Sequence, residues 1–113
     1  MAQKKHDSAT VELAQLMSDF GSTKKILMLL TLFLSESELQ TMSKRFEIFK
    51  LLSQKTSYEV IQHTLGVSSA TVSAVAQLHK HPFSADVLHQ LAARDWATLT
   101  ARKIRDWFSS LSS

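Results

Sequence analysis

A chain of 113 residues is long enough for one small domain with its own core. With 2 Gly, 1 Pro and no Cys it excludes disulfides and thiolate metal sites, suits the cytoplasm and offers little turn chemistry, so helices are expected. Lys and Arg exceed Asp and Glu by 13 − 10 = 3, an excess that suits a polyanionic partner without requiring one.

Met1 to Asp7 is polar, carries Lys4, Lys5 and His6, and lacks the apolar core of a signal peptide. It reads as a frayed arm. The first helix is expected from Ser8 to Phe20, where Leu13, Leu16, Met17 and Phe20 fall at i, i+3, i+4 and i+7 on one apolar stripe. Gly21-Ser22 ends it, and Ser22 or Thr23 caps the next. That second helix holds Ile26 to Leu34, a run apolar around its whole circumference but too short to span a bilayer, which takes ~20 residues. A helix apolar all round must be covered on all sides. A chain this small has difficulty surrounding one, and an interlocked homodimer would solve the problem. A buried strand is the alternative, and Leu and Met in place of Val and Ile argue against it.

Ser35 or Ser37 caps the third helix, with Glu36 and Glu38 in its positive first turn. Leu39, Met42, Phe46, Phe49 and Leu52 make its apolar stripe, while Lys44, Arg45 and Lys50 fall outside. Ser53-Gln54-Lys55 links it to the most informative stretch, residues 56–78, which reads as a helix-turn-helix. Thr56 or Ser57 caps its first helix, and Glu59, three residues after Thr56, completes a capping box. Val60, Ile61 and Leu65 recur at helical spacing. Gly66 leaves the helix through a left-handed conformation and Val67 packs the turn. Ser68 caps a second helix on which Val72, Val75 and Leu78 point inward. Ser69, Ala70, Thr71, Ser73, Ala74 and Gln77 are left outside.

Short polar side chains let a helix sit deep in the major groove. Hydroxyls there bond base edges or phosphates, and Ala or a Thr methyl meets a thymine methyl. The candidate DNA contacts are therefore Ser68, Ser69, Ala70, Thr71, Ser73 and Gln77, with Thr56, Tyr58, Lys55, Lys44 and Arg45, and the charge for the phosphates would come from Lys44, Arg45, Lys50, Lys55, His63 and Lys80. Against this stands a helical hairpin with no DNA role. The second helix has no Lys or Arg between Ser68 and Leu78, so the common arginine-to-guanine contact is missing, and Gln62 stands where a small residue is usual in such motifs.

Beyond Leu78, His79-Lys80-His81 precede Pro82, which breaks the helix. Their spacing does not suit a metal site, and solvated histidines at a helix end are expected. Ser84 caps a helix with Val87, Leu88, Leu91 and Ala92 inward. Thr98 or Thr100 caps a last one, with Ile104, Trp107, Phe108 and Leu111 on one side and Arg102, Lys103 and Arg105 on the other. Trp96 and Trp107 are large enough to belong in the core or in a dimer seam.

Residues 34–75, LSESELQTMSKRFEIFKLLSQKTSYEVIQHTLGVSSATVSAV, resemble the core of the Trp repressor superfamily. The shared pattern is the helix start after Leu34, the Lys44-Arg45-Phe46 step, the Leu51-Leu52 pair, and S-Y-x-x-I followed by L-G-V-S-x-A-T-V-S. Its last part resembles the Trp-repressor-like branch of bacterial proteins more than the tryptophan-binding repressors. The resemblance implies an all-α fold, an intertwined helical dimer with a helix-turn-helix head that binds double-stranded DNA. It divides a single 1–113 domain into an arm at 1–7, dimerisation helices at 8–53, the helix-turn-helix at 56–79 and C-terminal helices at 84–112. It also implies a tryptophan site, but the positions that supply a cation and a glycine are here Ala74 and Val75, leaving only Arg45 in place. No tryptophan response of the usual type is expected.

No nucleophile pattern, phosphate loop or paired carboxylate points to an enzyme, and no cofactor is expected. The expected function is a dimeric, repressor-like DNA-binding regulator in the cytoplasm, with no membrane association and an effector the sequence does not identify. A helical protein-interaction module that keeps the fold is the alternative.

Overall fold

The structure, a computed structural model, describes residues 5–111 and forms six α-helices, with no strand among those residues. They are α1 (Ser8–Phe20), α2 (Thr23–Phe33), α3 (Glu36–Ser53), α4 (Tyr58–Leu65), α5 (Ser69–Leu78) and α6 (Ser84–Leu111). The chain is all-α. Most of the expected arm, Met1 to Lys4, lies outside the described residues, as does Ser112 at the other end.

Local chemistry sets most of the helix ends. Asp7 Oδ1 accepts the Thr10 N–H at 2.8 Å and Ser22 Oγ accepts that of Lys25 at 3.4 Å, each satisfying a donor left free in a first turn. Gly21 closes α1 at φ +55°. At α3 the Glu38 N–H donates to Ser35 Oγ at 3.1 Å and the Ser35 N–H donates back to Glu38 Oε1 at 2.9 Å. This is a reciprocal capping box. The box expected between Thr56 and Glu59 does not form. Ser57 caps α4 instead, accepting the Val60 N–H at 3.3 Å, while the Thr56 N–H donates back to the Leu51 carbonyl at 3.0 Å. Thr56 thus belongs to the close of α3 rather than to the start of α4.

The chain divides into two compact units within α3, Met1–Lys44 and Arg45–Ser113. In the first, α1 packs against α2. Among the described residues there only Leu29 is buried, and Leu27, Met28, Leu32 and Phe33 remain exposed along α2. Leu13, Leu16 and Phe20, the expected stripe of α1, are also exposed.

The second unit holds the main core: Ile48 and Phe49 from α3, Ile61 from α4, and Val72 and Val75 from α5. Leu51, Leu52, Leu65, Val67, Val87 and Leu88 pack around it. Burying each of the fully enclosed Ile48, Ile61 and Val72 side chains contributes about 1.5–3 kcal/mol. Three expected inward positions differ. Val60 is 53% exposed, Leu78 is 48% exposed, and Phe46 is open to solvent, with the Lys50 ammonium 5.4 Å from its ring centre. Ile48, one residue off the expected α3 stripe, is instead fully buried.

The two expected C-terminal helices are one, α6, of 28 residues. Neither Gly nor Pro occurs within it, so Thr98 and Thr100 stay interior rather than capping a new start. Ser84 is its first residue, not its cap. The Phe83 carbonyl accepts the Asp86 and Val87 N–H groups, and the Ser84 hydroxyl donates to the His79 carbonyl at 3.0 Å. Val87, Leu88 and Leu91 are partly buried, while Ala92 is exposed. Beyond them Trp96, Ile104, Trp107, Phe108 and Leu111 form a stripe that is exposed throughout, so neither Trp is in the core. At ~100° per residue this stripe lies roughly opposite the side that Val87, Leu88 and Leu91 bury.

Candidate nucleic-acid interface

The helix pair α4–α5 is built by short-range chemistry on a long-range core. Ser57 starts α4, and Gly66 at φ +64° turns the chain while its N–H and that of Val67 both donate to the Gln62 carbonyl, at 2.9 and 3.2 Å. Ser68 then starts α5, its Oγ accepting the Thr71 N–H at 3.2 Å. Ile61, Val72 and Val75 anchor the pair to α3. With one side of α5 fixed in the core, Ser69, Ala70, Ser73, Ala74 and Gln77 are held exposed along the other.

Thr71 departs from that pattern. It is half-buried, and its Oγ1 lies 2.9 Å from Ser68 Oγ, so the two hydroxyls are tied to each other at the helix start. Tyr58 is exposed at the first turn of α4, and Thr56 is half-buried just before it. Lys55 is exposed in the turn after α3 at φ +64°, a left-handed conformation unusual for a residue with a side chain. Lys44 belongs to the first unit and every other candidate contact to the second.

Arg45, Ala74 and Val75 do not assemble into a ligand site. Val75 is buried in the core, Ala74 is exposed, and Arg45 edges a cavity that neither of them lines. That cavity, about 280 Å³, is walled by Phe46, Phe49, Leu78, Phe83, Ser84 and Val87, with His81 beside Arg45. It was not foreseen in the sequence, because its walls come from α3, the end of α5, the 81–84 turn and α6. The one hint is Phe83, an aromatic residue directly after the helix-breaking Pro82.

Of the two histidines before Pro82, which were expected to be solvated, His79 differs. The His79 ring stacks on Phe49, centres 4.1 Å apart and planes 10° apart, and its buried Nε2 has no partner among the described residues. His81 remains exposed, and its Nδ1 accepts the Phe83 N–H at 3.0 Å.

The family model described as Trp repressor protein matches residues 9–91, which run from α1 into the first turns of α6. No curated protein and no solved structure matches the chain.

Proposed function

Because the chain belongs to the Trp repressor family, we propose that it is a dimeric, repressor-like DNA-binding regulator of bacterial type that does not respond to tryptophan. The observation that carries this reading is the α4–α5 pair. A glycine-turned, doubly capped hairpin fixes one side of α5 in the core and leaves Ser69, Ala70, Ser73 and Gln77 exposed on the other. On this reading the pair is a helix-turn-helix and α5 enters the major groove, with its N-terminal residues nearest the bases. Lys55, Thr56, Tyr58, Lys44 and Arg45 supply phosphate contacts, and Ser68 and Thr71 hold the start of α5 in shape beside the bases.

A second copy is supported by the exposed apolar residues of α1 and α2, which one chain leaves uncovered. The absence of cysteine suits a cytoplasmic setting, and no described helix is long and apolar enough to cross a membrane. Ala74 and buried Val75 support the lack of a tryptophan response, since neither supplies the cation or the space that ligand needs. Nothing in the site resembles an enzyme constellation, and the chain is read as non-enzymatic.

The test is Ala70→Asp. The position is exposed in the first turn of α5, where a carboxylate favours the helix, so the fold should survive. Facing phosphates and base edges it should weaken specific binding by several kcal/mol, on the scale of one or two wrong base pairs at ~1–3 kcal/mol each. DNA titration with circular dichroism as the folding control reads both. A folded variant that binds DNA like the parent would put the protein-interaction reading ahead.

A further inference from the structure

The far half of α6 lies beyond the stretch that the family model matches, residues 9–91. Along it Ala93, Ala97, Thr100, Ile104, Trp107 and Leu111 follow one another at steps of four and three. That alternation averages the 3.6 residues of a helical turn, so on a straight helix the six keep to one line about 27 Å long. The line runs down the exposed stripe, roughly opposite the side that Val87, Leu88 and Leu91 bury, and of the six only Thr100 is partly covered. Neither Gly nor Pro interrupts α6, so no bend within it brings the stripe round onto the core of its own unit.

Side-chain size along the line is graded. The inner three, Ala93, Ala97 and Thr100, are small, and the outer three, Ile104, Trp107 and Leu111, are large. A second α6 laid antiparallel across the first puts Ala93 opposite Leu111, Ala97 opposite Trp107 and Thr100 opposite Ile104, and the twofold relation repeats each pairing. Every layer then joins a small side chain to a large one, which fills the space between two helices evenly. Parallel pairing instead stacks Trp107 on Trp107 and leaves Ala93 facing Ala93 across a gap. Antiparallel order also sets opposite ends of the two helix dipoles side by side. Trp96 borders the small half and adds ring area there. Lys103, beside the line near the twofold axis, has Asp106 three residues on along the same side to answer it.

We infer that the far half of α6 is an interface for the same half of a second copy, paired antiparallel about a twofold axis between Thr100 and Ile104. The surface is separate from the apolar residues of α1 and α2, and it stands without DNA and without the proposed regulator function. A seam under three heptads long is short for lasting association by itself, so covalent trapping reads it.

The chain has no cysteine, so single substitutions give clean probes. Full-length Thr100→Cys and Ile104→Cys chains, told apart by mass, are mixed under a mild oxidant. Antiparallel pairing sets the two thiols in one layer and should give the mixed disulfide several-fold over either homodisulfide. An excess of homodisulfides would mean parallel pairing and would overturn the proposal. So would the absence of any cross-link, the outcome expected if lipid or an unrelated protein covers the stripe. Side-chain size tests the layers a second way. In the same mixture Ala97→Trp should overfill its layer and Trp107→Ala should empty it, each slowing cross-linking about tenfold while circular dichroism shows the helix intact. The two together rebuild a small-to-large layer and should restore the rate to within about threefold of the parent. A double variant as slow as the singles would show that residues 97 and 107 do not face each other, and the proposal would fall with that register.

Discussion

Lys55 holds a conformation that suits glycine better than any residue with a side chain. It sits at φ +64° just past the end of α3, where the Thr56 N–H reaches back to the Leu51 carbonyl, the geometry of a left-handed helix terminus. The strain of a side chain there is roughly 1–2 kcal/mol, partly offset because glycine frees the unfolded chain. Lys55→Gly should therefore raise stability by about 1 kcal/mol while removing one positive charge from the proposed DNA face, so that DNA affinity should fall for all sequences alike and the salt slope flatten. Thermal melts beside DNA titrations at two salt concentrations separate the two effects. A drop in stability would mean that the lysine side chain supports the turn. Lys55 was legible in sequence as linker and charge, but not as a strained position. No local signal marks a lysine for a left-handed turn, which is fixed by where α3 closes. Ile48 and His79 escaped for a related reason. The side of α3 that becomes core depends on α4 and α5 packing against it, and His79 finds Phe49 across thirty positions of sequence.

Helix ends were the most legible elements, because a cap is decided within four residues. Ser68, Gly21 and Gly66 act where the sequence places them, and Ser22, Ser35 and Ser57 each prove to be one of the two residues it offered, although at α4 the capping box had pointed to Thr56. The continuity of α6 was not legible, since a threonine is equally at home as a cap or inside a helix exposed to solvent. Two of the caps are acid-labile. Asp7 is held below the usual carboxylate range, first by the Thr10 backbone N–H and then by its side chain, and Glu38 is held below it by Ser35 in the same order. A carboxyl lowered on folding stabilises the folded form at pH above its unfolded value of ~4, and that contribution is lost as pH falls through the lowered folded value. The starts of α1 and α3 should therefore fray in acid before the α4 and α5 starts, which serine hydroxyls cap. Amide exchange of Thr10 and Ser35, whose N–H groups donate to the Asp7 and Glu38 carboxylates, against that of Val60 and Thr71 across this range checks it. Equal protection at every pH would show that the carboxylates contribute nothing at these ends.

For the whole molecule, both units leave large apolar side chains exposed, and they differ in what they enclose. The second encloses a core, and the first leaves α2 with Leu32 at 73% exposed and Phe33 at 66%. If a second copy covers that surface, the particle should sediment as two chains at micromolar concentration, and stability should depend on protein concentration. Leu32→Asp discriminates sharply. On a truly exposed helix it changes stability by no more than ~0.5 kcal/mol, whereas in a shared core it buries an unpaired charge and the dimer fails. A folded monomeric parent, indifferent to Leu32→Asp, would exclude the interlocked assembly.

The unbroken course of α6 makes it a lever. Its first turns carry Ser84 and Val87, which wall the cavity, and its far end is Leu111, about 36 Å away at 1.5 Å per residue. A tilt of about 5° at Val87 would swing Leu111 through about 3 Å, a gain that two helices joined by a flexible turn could not transmit. Mechanical advantage of this kind converts a sub-ångström adjustment beside a ring into a displacement large enough to make or break a contact at the tip. Because the chain has no cysteine, Arg105→Cys accepts a single spin label on the arm. Pulsed distance measurements between that label and one at Gln77→Cys should then shift by a few ångströms when Val87→Phe crowds the cavity beside the first turns of α6. An unchanged distance in that variant would show that the arm bends rather than swings.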